Sequence, residues 1–349
     1  MNKLKKNIRE ASLQDISLFL TNHGEKVFRA KQIWQWIWQH GVSDFDEMTN
    51  LSKSIRELLN TTYYFDKLIP HEVQTAADGT VKTAWQLHDG EIIESVLIPG
   101  NQKYTVCVSS QVGCKLGCKF CATGTLGFKR NLTAGEIFEQ VVTAKKTAET
   151  QGVPLSNIVF MGMGEPLLNY ENMMAAIGHL TANDGLAMSP YRITVSTAGI
   201  PEKIKQLADD GVRFNLAISL HSAKEVTRSS LMPINKAYSL KNIAESLKYF
   251  VEKTGTRPTF EYLLLKDIND RLDDAKALAN YCKQFPVKIN LIEYNNVEGS
   301  GFSHSPEKNR DEFVKFLESC NMIVNIRHSK GKDIDAACGQ LAGKTKRNA

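Results

Sequence analysis

Three cysteines, Cys114, Cys118 and Cys121, stand within eight positions in the spacing C-x3-C-x2-C. Thiolates this close together converge on a common partner. A structural zinc site draws on two C-x2-C-type pairs, or on cysteine with a paired histidine. The loop holds neither a second pair nor a histidine. Iron–sulfur clusters also take thiolates, commonly four. Three ligands to a four-iron cubane leave one iron open, and the amine and carboxylate of a bound S-adenosylmethionine (SAM) can fill it. Gly113, Gly117, Gly124 and Gly127 let the backbone wrap closely and aim N–H groups at sulfides. Lys115 and Lys119 can offset the cluster's charge. The loop reads as the site of one [4Fe-4S] cluster held by three cysteines, with structural zinc as the competing reading.

Such a loop needs rigid elements beneath it. From about residue 103 the sequence alternates strand and helix. Strands are expected over 104–109, 157–161, 192–196, 214–219, 259–265 and 288–293. Helices are expected over 133–150, 170–180, 201–210, 240–253, 273–284 and 305–320. Six βα units in one register predict an α/β fold, a partial (βα)6 TIM-like barrel. Barrels carry their chemistry at the carboxyl ends of the strands. There the sequence offers Gly164 and Glu165, Ser196, the run Ser219-Leu220-His221, and Asn295. Glu165 suits a ligand amine, because a carboxylate prefers a cationic donor. Ser196, Ser219, His221 and Asn295 can bond ribose hydroxyls, a carboxylate or adenine. Each alone reads as a turn residue or a satisfied histidine; their common placement makes them a candidate ligand set.

The 349 residues are 42% hydrophobic and 23% charged, which excludes global disorder. No internal repeat or low-complexity tract occurs. Residues 1–65 read as a small helical domain and 66–100 as a β-hairpin linker. Residues 101–338 read as the barrel and 339–349 as a tail ending in Lys344, Lys346 and Arg347. Seven cysteines, odd in number and clustered, argue for a reducing compartment. The first apolar patch, 16–20, is too short for a signal-peptide core. No segment approaches the ~20 apolar residues of a membrane span. A cytoplasmic protein is expected. The net charge of +5 permits a polyanionic partner without demanding one.

With Phe120 before its last cysteine, the loop resembles the radical SAM superfamily. Further motifs narrow the resemblance. Cys-Val-Ser-Ser-Gln-Val-Gly-Cys (107–114), Gly-Met-Gly-Glu-Pro (162–166), Ser-Thr-Ala-Gly (196–199), Ser-Leu-His (219–221) and Asp-Ile-Asp-Ala-Ala-Cys-Gly-Gln-Leu (333–341) are similar to the bacterial adenine-C2 RNA methyltransferases. So is Phe-Arg-Ala-Lys-Gln (28–32) in the helical part. The resemblance implies action on 23S ribosomal RNA and on transfer RNA, with two SAM molecules per turnover. Adenine C2 lies between two ring nitrogens and is too electron-poor to attack a methyl sulfonium, whereas a carbon radical can add to it. Cys338 matches the family's methyl-carrying cysteine. Cys107 matches the cysteine that releases product by closing a transient disulfide, and Glu94 the base that removes the C2 proton. Cys282 and Cys320 read as packing. Lys26, Arg29 and Lys31 beside Trp34, Trp36 and Trp38 suit RNA, with Trp34 and Trp38 reading equally well as core of so apolar a helix. So do Arg327, His328, Lys330 and Lys332 just before Cys338. A flavodoxin-like or other electron donor and a monomeric chain complete the expectation. Methylation at adenine C8, and a non-catalytic iron–sulfur RNA-binding protein, are the competing readings.

Overall fold

The computed structural model describes residues 5–297 and 299–342. The tail residues Lys344, Lys346 and Arg347 lie outside the described residues. Helix α1 (Leu13–Asn22) begins at Ser12, whose hydroxyl accepts the Asp15 N–H at 3.1 Å while the Asp15 carboxylate accepts the Ser12 N–H at 2.9 Å. Helices α2 (Phe28–Trp38) and α3 (Lys53–Thr62) follow. Their apolar stripes bury Ile16, Leu20, Ile33, Ile37, Ile55 and Leu59.

This helical unit is fastened to the barrel at two points. Arg9 forms a buried ion pair with Glu139 of α4 (Ala134–Thr150), and it donates to the Val42 carbonyl at 2.9 Å. The Trp38 ring stacks on His179 of α5 (Tyr170–Thr181), with centroids 3.5 Å apart. Burial pushes His179 down to about 4, so this ring is neutral. Trp34 tilts against Trp38, and Trp36 donates to the Asn50 side chain at 2.6 Å. Trp34 and Trp38, expected beside RNA, therefore pack the joint between the two units, while the contacts of Trp36 stay within the helical one. Phe28 and Val27 remain exposed, with the Arg29 guanidinium over the Phe28 ring.

One ten-stranded sheet runs through the rest of the chain. Its strands are β1 (Ile69–Thr75), β2 (Val81–Gln86), β3 (Ile92–Gly100), β4 (Lys103–Cys107), β5 (Leu155–Phe160), β6 (Ile193–Thr197), β7 (Asn215–Ser219), β8 (Thr259–Leu264), β9 (Lys288–Glu293) and β10 (Ile323–Arg327). They lie in sequence order from one edge to the other. Strands β4 to β10 run parallel to one another, while β4 meets β3 antiparallel. Their interior residues, among them Val195, Leu216, Ile218, Phe260 and Ile289, are buried, as a sheet covered on both faces requires. The sheet ends at β1 and β10 without closing, which makes it a partial barrel.

Two features go beyond the sequence reading. The expected hairpin, β2 with β3, gains a third strand, and all three extend the barrel sheet, with Val96 of β3 opposite Cys107 of β4. A seventh parallel strand, β10, forms where the sequence offered only a basic segment. Among the described residues no helix is long and apolar enough to cross a membrane.

Candidate active site

The cysteine loop hangs from a small antiparallel ribbon, Gln111–Gly113 with Phe128–Asn131. Gly113, at φ +73°, sits so close to the returning strand that a Cβ would lie 1.9 Å from the Gly127 carbonyl oxygen. Only glycine fits that crossing. The Cys114 N–H then donates to the same carbonyl at 2.9 Å, and the Cys121 N–H to the Cys118 carbonyl at 3.2 Å. The turn brings Cys114, Cys118 and Cys121 to one cavity at the carboxyl ends of the strands.

That cavity gathers most of the expected ligand set: Gly164, Glu165, Ser196, Ser219 and His221 share its wall. Gly164 has φ +100°, and a Cβ there would lie 2.5 Å from Gln111 Cβ. The buried Glu165 carboxylate accepts N–H groups from Ala198 at 2.7 Å and Leu167 at 3.1 Å, while burial raises its pKa. Ser196 and Ser219 hold their hydroxyl oxygens 3.4 Å apart. His221 adopts φ +56° and accepts the Leu263 N–H on Nδ1 at 3.1 Å. Burial and the nearby Arg228 push it down to about 3, so it is a neutral structural base within the wall.

Two expected residues lie elsewhere. The Leu220 side chain is fully buried; only its backbone takes part, accepting from Arg228 Nε at 3.1 Å. Asn295 donates to Ser329 at 2.8 Å and lines a neighbouring polar cavity of about 490 Å³ with Glu293, Arg310 and Gln340.

The C-terminal segment reaches back over the loop. The Ala122 N–H donates to the Gly339 carbonyl at 2.7 Å, and the Thr123 hydroxyl donates to the Leu341 carbonyl. These bonds hold Cys338, an exposed residue, on the wall of the cysteine cavity. Cys338 also lines a second cavity, where it meets Cys107, Met161 and Arg327. Both thiols are free. Burial pushes Cys107 up to about 12, and a charge on Cys338 would push it the same way. The enclosing walls also raise Cys338, against the pull of Arg327.

Glu94 is buried on β3, not exposed as an isolated strand glutamate would be. It accepts the Ala342 N–H at 2.9 Å, and Lys82 Nζ lies 3.8 Å away.

The residues fit an iron–sulfur cluster. Burial holds the Cys114 thiol up at about 11 and the Cys118 thiol higher still. Such thiols ionise only against a strong local cation, which a metal centre supplies. Among the described residues the ligand atoms gathered within 4.8 Å, as a single ion needs, are those of Asp66, His88 and Glu136, not the cysteines. In that other set Arg130 already occupies both oxygens of Glu136, at 2.8 Å each. Lys115 and Lys119, expected to balance the cluster's charge, are exposed.

Three residues here escaped sequence reasoning: Met161, Glu261 and Arg228. Glu261 left a signal, a carboxylate inside a strand otherwise apolar on both faces. It is buried and lines the cysteine cavity. Arg228 left none, because its partners are two backbone carbonyls and the Asn235 side chain, all on other elements.

Comparison with known proteins agrees with this architecture. Residues 6–64 match the family model described as the ribosomal RNA large subunit methyltransferase N-terminal domain. Residues 108–279 match the radical SAM superfamily. A relative from Flavobacterium psychrophilum, named "Probable dual-specificity RNA methyltransferase RlmN", is 47% identical over 97% of this chain and 98% of its own length. The Bacillus subtilis protein of the same name is 43% identical over 98% of this chain and 94% of its own. The crystal structure of a radical SAM methyltransferase from Sphaerobacter thermophilus superposes with a TM-score of 0.93 at 38% identity, covering 97% of this chain and all of that one. On these matches, along the whole length and on the cysteine cavity itself, the chain belongs to the RlmN family of radical SAM methyltransferases.

Proposed function

We propose that this chain methylates C2 of a specific adenine in 23S rRNA, and of the adenine 3′ of the anticodon in tRNA. The names of its dual-specificity relatives support the RNA substrates. Cys114, Cys118 and Cys121 hold one [4Fe-4S] cluster, and SAM lies along the strand ends. When bound, the cluster and one SAM supply a carbon radical, and a second SAM supplies the methyl group.

The chain's own residues carry the rest. Glu165 presents a buried carboxylate to the SAM amine, and Ser196 and Ser219 present hydroxyls to its polar edge. Gly164, Leu220 and His221 shape the same strand ends through backbone and ring. Asn295 joins the set on its motif alone. Cys338 takes the methyl group on sulfur and carries it to the adenine. Glu94 removes the C2 proton, and the one electron then left in excess on the adduct would return to the iron–sulfur centre that supplied it. The bond of Glu94 to Ala342 ties this base to the segment that bears Cys338. In the release step the Cys107 thiolate attacks the Cys338 sulfur. The sulfur–carbon bond breaks, its electrons stay with the carbon on C2, and that carbon takes a proton to become the methyl product. The two cysteines leave as a disulfide, which the cell's thiol systems reduce again.

The observation that carries this reading is the double exposure of Cys338. One thiol lines both the cavity of the three cysteines and the cavity of Cys107. A low-potential reductant of flavodoxin type, a monomeric chain and a cytoplasmic setting complete the proposal, in keeping with a transient disulfide. The test is mass spectrometry of RNA from a strain lacking this gene and from the same strain carrying it. We expect 2-methyladenosine in 23S rRNA and tRNA to vanish and return; undiminished 2-methyladenosine in the deletion strain overturns the reading, and 8-methyladenosine in its place would move the chemistry to C8.

A further inference from the structure

The arm that carries Cys338 is held at its base by a distant part of the chain. The turn between β1 and β2 and the stretch after β10 bond each other in both directions. The Asp78 carboxylate accepts the Gly331 N–H at 3.1 Å, and the Asp333 carboxylate accepts the Ala77 N–H at 2.9 Å. Each side thus supplies one carboxylate and one backbone donor, across 253 and 256 residues of sequence. Lys82 of β2 adds a bond to the Asp335 carbonyl at 3.4 Å.

Both faces of this clamp are bonded internally. In the turn, Asp78 also accepts the Thr80 N–H at 3.0 Å, and the Ala76 N–H donates to the Thr80 carbonyl at 2.8 Å. On the arm, Lys332–Ile334 make one tight helical turn between two left-handed residues, Gly331 at φ +63° and Asp335 at φ +52°. The Ala336 N–H then closes back on the Gly331 carbonyl at 2.9 Å. A Cβ on Gly331 would lie 2.9 Å from Thr80 Cγ2 and 2.8 Å from Ala336 Cβ, so turn and arm touch with no room for a side chain between them. Lys332, Asp333 and Asp335 are exposed, and their stretch is placed by hydrogen bonds more than by apolar burial. Cys338 stands two residues beyond Ala336.

We infer that Asp78 and Asp333 are positioning residues of the methyl transfer: they lock the base of the Cys338 arm to the β1–β2 turn and so hold the Cys338 sulfur within reach of Cys107. This inference rests on the carrier role proposed for Cys338. One sulfur lines two cavities, so a small displacement of its backbone changes both encounters. Fixing the base of the arm raises the effective concentration of one thiol at the other without touching either. It also gives the three antiparallel strands beside the barrel a task, since Ala77, Asp78, Lys82 and, at the far end of the arm, Glu94 all come from them.

The experiment compares the reconstituted full-length wild type with Asp333→Ala, Asp333→Asn, and Asp78→Ala combined with Asp333→Ala. Each is equilibrated without oxygen in glutathione buffers of graded thiol-to-disulfide ratio. The Cys107–Cys338 disulfide is quantified by mass spectrometry of the joined peptides. Each disulfide formed reduces one glutathione disulfide to two thiols, so the equilibrium constant reports the effective concentration of the pair. We expect the constant to fall about threefold in Asp333→Ala and at least about tenfold in the double variant, one modest hydrogen bond at a time. Asp333→Asn keeps an oxygen for the Ala77 N–H and should stay within about twofold of wild type. Melting temperature is measured alongside, because a merely structural role would lower it and leave the constant unmoved. A wild-type constant in the double variant overturns the inference. The wild type is also incubated with SAM alone and the Cys338 peptide weighed; a peptide without a methyl group would instead overturn the carrier reading.

Discussion

Arg327 on β10 and Glu261 on β8 reach toward each other across β9, with Nη1 3.5 Å from Oε2. The same guanidinium nitrogen lies 3.9 Å from the Met161 sulfur and opens onto the cavity of Cys107 and Cys338. Sequence reasoning assigned the basic run from Arg327 to Lys332 to RNA phosphates. In the fold Arg327 turns inward, Lys332 and His328 face Glu293 at 3.2 and 3.7 Å, and Lys330 faces Asp78 at 3.9 Å. The run lies beside the protein's own carboxylates, because β10 joins the sheet, while His328, Lys330 and Lys332 keep about half or more of their side chains exposed.

Arg327→Met should therefore destabilise the fold and not merely weaken RNA binding. Glu261 is buried and Arg327 is 40% exposed in its side chain, so the pair lies between the surface and buried cases. We expect a loss of about 2 kcal/mol in urea unfolding, largely recovered in Arg327→Met with Glu261→Gln. A pair of purely additive single-variant losses would remove the coupling.

The two redox cysteines should separate by phenotype. Cys338→Ala removes the methyl carrier and should abolish methyl transfer from labelled SAM. Cys107→Ala leaves the carrier but not the release step, so a covalent RNA–protein adduct should accumulate on denaturing gels. Full methylation by the Cys338 variant would sink the mechanism.

Gly164→Ala should cripple SAM binding. Its Cβ would lie 2.5 Å from Gln111 Cβ at a φ of +100°, so the backbone must move and carry Glu165 with it. We expect SAM affinity to fall at least tenfold, about 1.4 kcal/mol, in equilibrium binding to the reconstituted protein. Cluster content should be retained.

His179 makes stability pH-dependent. Its folded value near 4 lies below the ordinary 6.5, so the unfolded chain binds the extra proton between those limits. Stability is complete above about 6.5 and is lost as pH falls toward 4. The melting temperature should drop between pH 7 and pH 5, and His179→Phe should flatten that slope in part. His221, titrating near 3, contributes a slope of the same sign.

Arg9→Met should loosen the helical unit from the barrel. It leaves Glu139 buried beside the Ser43 hydroxyl with no cation, at a cost of about 3–5 kcal/mol. Urea unfolding followed by tryptophan fluorescence should show it, since Trp38 sits in that joint. Arg9→Met with Glu139→Leu should recover most of the loss.

Much of this was legible in the order of residues. Ser12 with Asp15 and Thr133 with Glu136 have the residue types and spacing of a helix-starting capping box, and both boxes form. The alternation of strands and helices announced a parallel sheet, because neighbours along the chain became neighbours in the sheet. The cysteine spacing and the strand-end motifs announced a cavity, because a barrel sends all its strand ends to one side. What the residues could not announce were relations between distant segments. Trp34 and Trp38 read equally well as a stacking platform or as packing, and only the approach of α5, bringing His179, decided the matter. A glutamate alone on a strand, as Glu94 is, would be exposed by its sequence neighbours alone; the distant Ala342 covers it. Arg228 carries no local signal because its bonds run to other elements. The sequence determined which groups could do chemistry. Tertiary structure decided which charges are desolvated and against what, since burial is a property of the surroundings and no residue carries it alone.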